Sequence, residues 1–190
     1  MHNNDDLQFI IDLIEQSGLS VAPLDLGEQS WENGRLFEAN FSNLNQLTGT
    51  LPESVQNPDL LQLLHLDGNS MSGDLPEALY TLTNLVSLKL SNNSFSGVLS
   101  ASIGNLPNLE TLMIAQNTFS GSFPSEIGDL TELEIFWAFG NGFSGPLPGS
   151  MGDLASLESL RLQDNLLSGN VPTTLCDLSN LNTVELSANN

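Results

Sequence analysis

His65, Asp67 and Ser91 are the residue types of a hydrolytic triad, and a fold that set them on neighbouring strands would bring them close. Triad chemistry also needs a strained turn that exposes the nucleophile, and donors for an oxyanion. No segment supplies either, so no catalytic residue and no enzymatic activity are expected. Metal chemistry is equally short of parts: the chain has 2 histidines, His2 and His65, and 1 cysteine, Cys176. Glu126, Asp129, Glu132 and Glu134 gather in one stretch that could hold Ca²⁺ weakly, but they read better as a solvated acidic rim. No metal and no cofactor are expected. Cys176 is expected as a buried thiol, or as half of a pair whose partner lies outside the chain.

Recognition is the chemistry for which the chain is better equipped. Residues 136–143, "FWAFGNGF", set large rings into a sequence otherwise rich in Leu, Ser, Asn and acidic residues. The 190 residues carry 23 Asp plus Glu against 3 Lys plus Arg, a formal charge of −20. Nucleic acid and anionic membrane surfaces would repel such a chain. No apolar run approaches the roughly 18 residues that a spanning helix needs. The first residues, "MHNNDDLQFIIDLIEQSG", lack the basic start and small-residue cleavage site of a secretory signal, which keeps a cytoplasmic location open.

What positions these residues is a repeat. Asn45, Asn69, Asn93, Asn117, Asn141, Asn165 and Asn189 fall 24 residues apart, as do Gly49, Gly73, Gly97, Gly121, Gly145 and Gly169. Pro52, Pro76, Pro124, Pro148 and Pro172 keep the same step, with Ser100 standing in once. Each unit alternates apolar and polar residues over a short strand, then turns back through an extended and irregular or 3-10 stretch. No unit can bury its own apolar face, so the units must stack into a solenoid. The ladder Asn69, Asn93, Asn117, Asn141 and Asn165 is expected to satisfy backbone groups of the turns.

The units "LVSLKLSNNSFSGVLSASIGNL" and "LESLRLQDNLLSGNVPTTLCDL" resemble leucine-rich repeats of the 24-residue plant type, with the pattern LxxLxLxxNxLxGxLPxxLGxL. The resemblance extends over residues 35–190, about six and a half repeats. It implies a right-handed, curved α/β solenoid with a parallel sheet on the concave side and a second short sheet near the "SG-x-LP" step. It also implies a non-enzymatic recognition module, of the kind found in receptor kinase ectodomains, receptor-like proteins and secreted inhibitors.

Stacking turns equivalent residues into columns about 4.8 Å apart. Between the strand apolar positions one column reads Asn40, His65, Lys89, Met113, Trp137, Arg161, Glu185. The next reads Ser42, Asp67, Ser91, Ala115, Phe139, Gln163, Ser187, and the third Gly68, Asn92, Gln116, Gly140, Asp164, Ala188. Phe136, Ala138 and Phe143 are therefore expected inside, and Trp137 and Phe139 outside. His65, Lys89, Met113, Ile135, Trp137, Phe139 and Arg161 make the expected ligand-binding set on the concave face. Exposed aromatic and Arg side chains are frequent interface anchors, and the two cations suit a carboxylate-bearing peptide or an acidic glycan. The bland alternative is that the aromatic neighbours cover one another and Gly140 makes room.

The ends depart from the pattern. Residues 1–34 are expected to form an N-terminal cap, with an amphipathic helix over about residues 5–17 that places Leu7, Ile10, Ile11 and Ile14 on one face. The paired cysteines usual in that cap are missing, although Trp31 is present. Leu44 stands where Asn is expected, which predicts a bulge or wider turn at residues 42–45. The last unit, "LNTVELSANN", stops halfway, which suggests a truncated array with any membrane anchor outside this segment. Asn40 and Asn92 head glycosylation sequons. The expected partner is a protein, peptide or glycan, and the expected setting the cell surface or extracellular space. An intracellular scaffold is the alternative, and an ice-binding face along Thr48, Ser72, Ser96, Ser120, Ser144 and Ser168 a remote one.

Overall fold

The computed structural model describes residues 2–190. Its long sheet contains eight strands, each unit adding one. From Arg35–Asn40 onward the strands run parallel: Leu63–His65, Ser87–Lys89, Thr111–Met113, Ile135–Trp137, Ser159–Arg161 and Thr183–Glu185. Alternation puts one set of side chains inside. Leu88 and Leu90, Leu112 and Ile114, Phe136 and Ala138, and Leu160 and Leu162 are all 0% exposed.

The return path also follows the sequence. Five-residue 3-10 segments such as Ala101–Asn105, Ser125–Asp129 and Gly149–Asp153 line the opposite side. Proline precedes most of them, needing no N–H partner and holding an extended φ. Ser100 replaces it once by a different device: its hydroxyl accepts a hydrogen bond from Ser102 N at 3.2 Å. Two three-stranded sheets form beside the "SG" steps. Their partners lie 22 residues apart, as in Ser72 with Ser94, rather than the 24 that separate partners in the long sheet from Leu63–His65 onward.

The asparagine ladder ties each turn to the one before. Asn117 Nδ2 donates to the carbonyls of Leu90, Ile114 and Ala115 at 3.0, 3.2 and 3.1 Å, and its Oδ1 accepts from Phe95 N at 2.9 Å. Asn69, Asn93, Asn141, Asn165 and Asn189 repeat this pattern. Asn45 does not: its amide meets only the Asn43 carbonyl, 2.9 Å away. The expected wide turn accounts for this, since Asn43 and Asn45 both take left-handed backbone, at φ 56° and 55°.

The N-terminal region contains more than the expected helix. The helix, α1, spans Asn4–Gln16, with Asn3 Oδ1 capping the N–H groups of Asp5 and Asp6 at 2.7 and 3.2 Å. A strand, Glu28–Glu32, pairs antiparallel with Arg35–Asn40 through a turn at Asn33 and Gly34, both at positive φ. Asn-Gly is the usual residue pair of such a hairpin. The helix is anchored by Asp6, which is fully buried. Its carboxylate accepts from Arg35 Nε at 2.9 Å, Arg35 Nη2 at 3.2 Å and Leu36 N at 2.8 Å. Trp31 packs at the edge of the core and meets the His2 ring edge-on at 4.5 Å.

Candidate functional site

The outward column assembles in the expected register. His65 pairs with Lys89, Lys89 with Met113, Met113 with Trp137, Trp137 with Arg161, and Arg161 with Glu185. All are partly exposed, as are Ile135 and Phe139. Trp137 does not stand free, however. Its indole Nε1 donates to Ser159 Oγ on the next strand at 3.0 Å, and the Arg161 guanidinium lies 4.7 Å above its ring. A cation over an indole face is attracted by the ring's quadrupole. Arg161 is held in turn by Glu185, with Nε 3.5 Å from Oε1. Trp137 is thereby held as a half-covered platform, tied to the next strand by its indole N–H and covered on one face by Arg161. Ala115, one strand away, is 1% exposed beside Phe139.

Beneath this platform the core is repacked. Phe136 and Ala138 replace the pair of branched aliphatic residues found in the neighbouring units, such as Leu112 and Ile114 or Leu160 and Leu162, one ring gained against one small residue. Phe123 meets Phe136 edge-on at 5.5 Å and stacks on Phe143 at 4.3 Å. Gly140 belongs to the turn column. Its φ is +64°, and a Cβ there would come 2.3 Å from Gln116 Nε2, so the glycine serves both backbone conformation and room for Gln116.

Lys89 makes no ion pair among the described residues, so it is the free cation of the strip, whereas Arg161 and Arg35 are engaged. His65 bonds to the buried Ser87, with Nε2 and Oγ 2.9 Å apart. Burial holds the imidazole below its ordinary range; Lys89 adds to this and Asp67 opposes it. The trio that sequence could align does not assemble. Asp67 Oδ1 accepts from Ser42 Oγ at 2.8 Å, and Ser91 Oγ accepts from Ala115 N at 3.1 Å. Among the described residues no group of three or more His, Cys, Asp or Glu is placed to hold a metal ion. Cys176 is exposed, which corrects the buried-thiol expectation.

The two sequon asparagines differ. Asn92 is exposed on the turn at φ 56°. Asn40 is half-buried, its Nδ2 3.4 Å from Glu28 Oε2 and its Oδ1 accepting from Ser42 N at 3.2 Å. The hydroxyls of the ladder are not set opposite one another across the short sheets. The 22-residue register sets Ser96 opposite Asp74, and their side chains bond at 2.8 Å.

The Leucine Rich Repeat family model matches residues 60–82, 84–106, 108–130 and 156–178. Among solved structures, Pollen Receptor Kinase 3 is 32% identical with a TM-score of 0.77, over 85% of this chain and 77% of that one. The chain belongs to the leucine-rich repeat family. The plant peptide hormone receptor RGFR1 in complex with RGF2 is 32% identical over 76% of the chain, with a TM-score of 0.75. The Arabidopsis receptor kinase HAESA ectodomain, with a bound IDA peptide hormone, is 37% identical over 75%, with a TM-score of 0.72. The chain spans only 23% and 24% of those two receptor chains. No curated protein sequence matches it. The segments matched to the leucine-rich repeat model pass over the unit at 132–154, the one that contains Trp137 and Phe139.

Sequence reading found the column but missed three things: the Trp137–Ser159 bond, the buried Asp6–Arg35 anchor, and Gln163, whose side-chain oxygen has no partner in the protein. Only Asn33-Gly34 signalled the hairpin that places Arg35. Nothing in the sequence signalled the other two.

Proposed function

We propose that this leucine-rich repeat array is a non-enzymatic recognition module that binds an extended peptide across its concave sheet. The binding centre is Trp137, Phe139, Met113 and Ile135, bordered by Lys89 and His65 on one side and Arg161 on the other. One observation carries the reading. In the unit where Phe136 and Ala138 take the strand's inward positions, the core residues stay fully buried while two aromatic rings lie on the outer face, one of them under an arginine. The peptide complexes of the receptor relatives support peptide over glycan as the ligand class. Binding to a rigid sheet loses little entropy on the protein side. The same kinship supports a setting in a receptor-like protein facing the cell exterior, where the exposed Asn92 would be the accessible glycosylation site.

The test is a binding screen with a random linear peptide library against wild type, Trp137→Ala and Arg161→Glu. Capture that fails with Trp137→Ala and changes sequence preference with Arg161→Glu supports the site. Equal capture by all three proteins rejects it.

A further inference from the structure

Two polar atoms on the concave face have no hydrogen-bond partner within the protein. Among the described residues they are Arg161 Nε and Gln163 Oε1, both buried atoms of side chains that reach the surface. Arg161 Nε is near Glu185, but the 3.5 Å contact is an ion pair without hydrogen-bond geometry. Native proteins leave few such atoms unpaired, and each calls for a reason. Here one is a donor and the other an acceptor; Arg161 ends its strand and Gln163 lies two residues further along the same extended segment, where Leu162 N and Asp164 N still bond to the next unit. Their Cα atoms are therefore about 6.6 Å apart.

Their surroundings narrow the ligand. Trp137 flanks Arg161 on the neighbouring strand, and Phe139 flanks Gln163, where Gly140 N donates to Gln163 O at 3.0 Å. Glu185 already offsets the charge of Arg161, so the pair has little to attract a further anion, and the Gln163 amide beside it is neutral. A neutral group with one acceptor and one donor fits both atoms. The peptide main chain is such a group, with a carbonyl and an N–H at every residue other than proline.

We propose that Arg161 and Gln163 read the main chain of an extended peptide, Arg161 Nε–H donating to a peptide carbonyl and Gln163 Oε1 accepting a peptide N–H. The peptide's side chains then fall on Trp137 and Phe139. This rests on the peptide-binding reading above and adds Gln163 as a specificity residue of that site. Both atoms are shielded in the free protein, Arg161 by its stack on the indole, so binding rotates two long side chains. Such rotamer changes are common at interfaces, and here each rotation gives an unpaired atom a partner.

The experiment uses a library peptide whose capture is lost with Trp137→Ala. It is resynthesised as single backbone N-methyl analogues and single backbone ester analogues, and titrated calorimetrically into wild type and Gln163→Met. One backbone position is expected to weaken wild-type binding by about tenfold in both series, the size of one lost hydrogen bond. The same position should have little effect on Gln163→Met. The ester removes the N–H without adding bulk, so agreement between the series excludes a steric effect of the methyl group. A position that weakens both proteins equally, or no sensitive position, overturns the role of Gln163 and leaves the Trp137 site standing. If no library peptide shows Trp137-dependent capture, the peptide-binding reading fails and this inference with it.

Discussion

Trp137→Ala and Leu112→Ala, set side by side, test the division of the strand into an inner and an outer face. Leu112 is 0% exposed, and truncating it leaves a cavity in a close-packed core. Such a change costs about 2–5 kcal/mol. Trp137 loses less. Its hydrogen bond to Ser159 contributes about 0.5–1.5 kcal/mol, and Ser159 is half-exposed and can turn to water. The Arg161 stack adds about 0.5–1 kcal/mol at a partly exposed site. The sum is about 1–2.5 kcal/mol, more than a free surface ring would cost and less than the Leu112 cavity. Urea denaturation followed by far-ultraviolet circular dichroism measures both, with unchanged m values showing that the same unit unfolds. A loss for Trp137→Ala equal to that for Leu112→Ala would place the indole in the core and refute the assignment of faces.

Three further outcomes are expected. Asn117→Ala should cost about 2–3 kcal/mol and speed amide exchange at Phe95 most, because the Leu90, Ile114 and Ala115 carbonyls keep second donors while Phe95 N–H loses Asn117 Oδ1. Removing the half-exposed Arg35 from the buried Asp6 carboxylate, as in Arg35→Ala, should cost about 3 kcal/mol in denaturant unfolding and release α1 before the repeats. His65 should titrate below its ordinary value near 6.5, as burial first and Lys89 second disfavour the imidazolium. The unfolded chain then binds the proton more readily, so stability falls as pH drops below about 6.5. Lys89→Gln should raise the midpoint measured by NMR.

How much was legible in the sequence follows from what repeats. A position recurring every 24 residues states its environment several times, so the strands, the amide ladder and the 3-10 returns could be placed from spacing alone. Ser100 did not break the pattern, because a hydroxyl cap can replace a proline at the start of a 3-10 turn. Features that occur once lack that redundancy. Asp6 looked like an ordinary helix-start carboxylate, and only the folded hairpin, by bringing Arg35 and Leu36 N to it, makes it a buried anchor. Trp137 could be assigned a face but not a posture. Its contacts are with Ser159 and Arg161 of the next unit, a coupling 22 to 24 residues away that no local pattern encodes.

The unit at 132–154 combines two kinds of departure, and they have different physical standing. Inside, Phe136 and Ala138 depart together, and Phe123 closes against both Phe136 and Phe143. Cores tolerate such exchanges when total volume is kept, and the full burial of all four residues fits that rule, with Phe123 at 4% and the others at 0%. The inner departure thus has an internal compensation. Outside, no neighbour requires an indole at position 137 or a ring at 139: the equivalent positions hold Lys89 and Met113, and Ser91 and Ala115, on strands that pair equally well. Nor does the solenoid require the Arg161–Gln163 edge, which leaves a donor and an acceptor unpaired. The proposed site thus combines aromatic area the fold does not need with polar atoms the fold does not satisfy. The extended peptide matches both halves of that description.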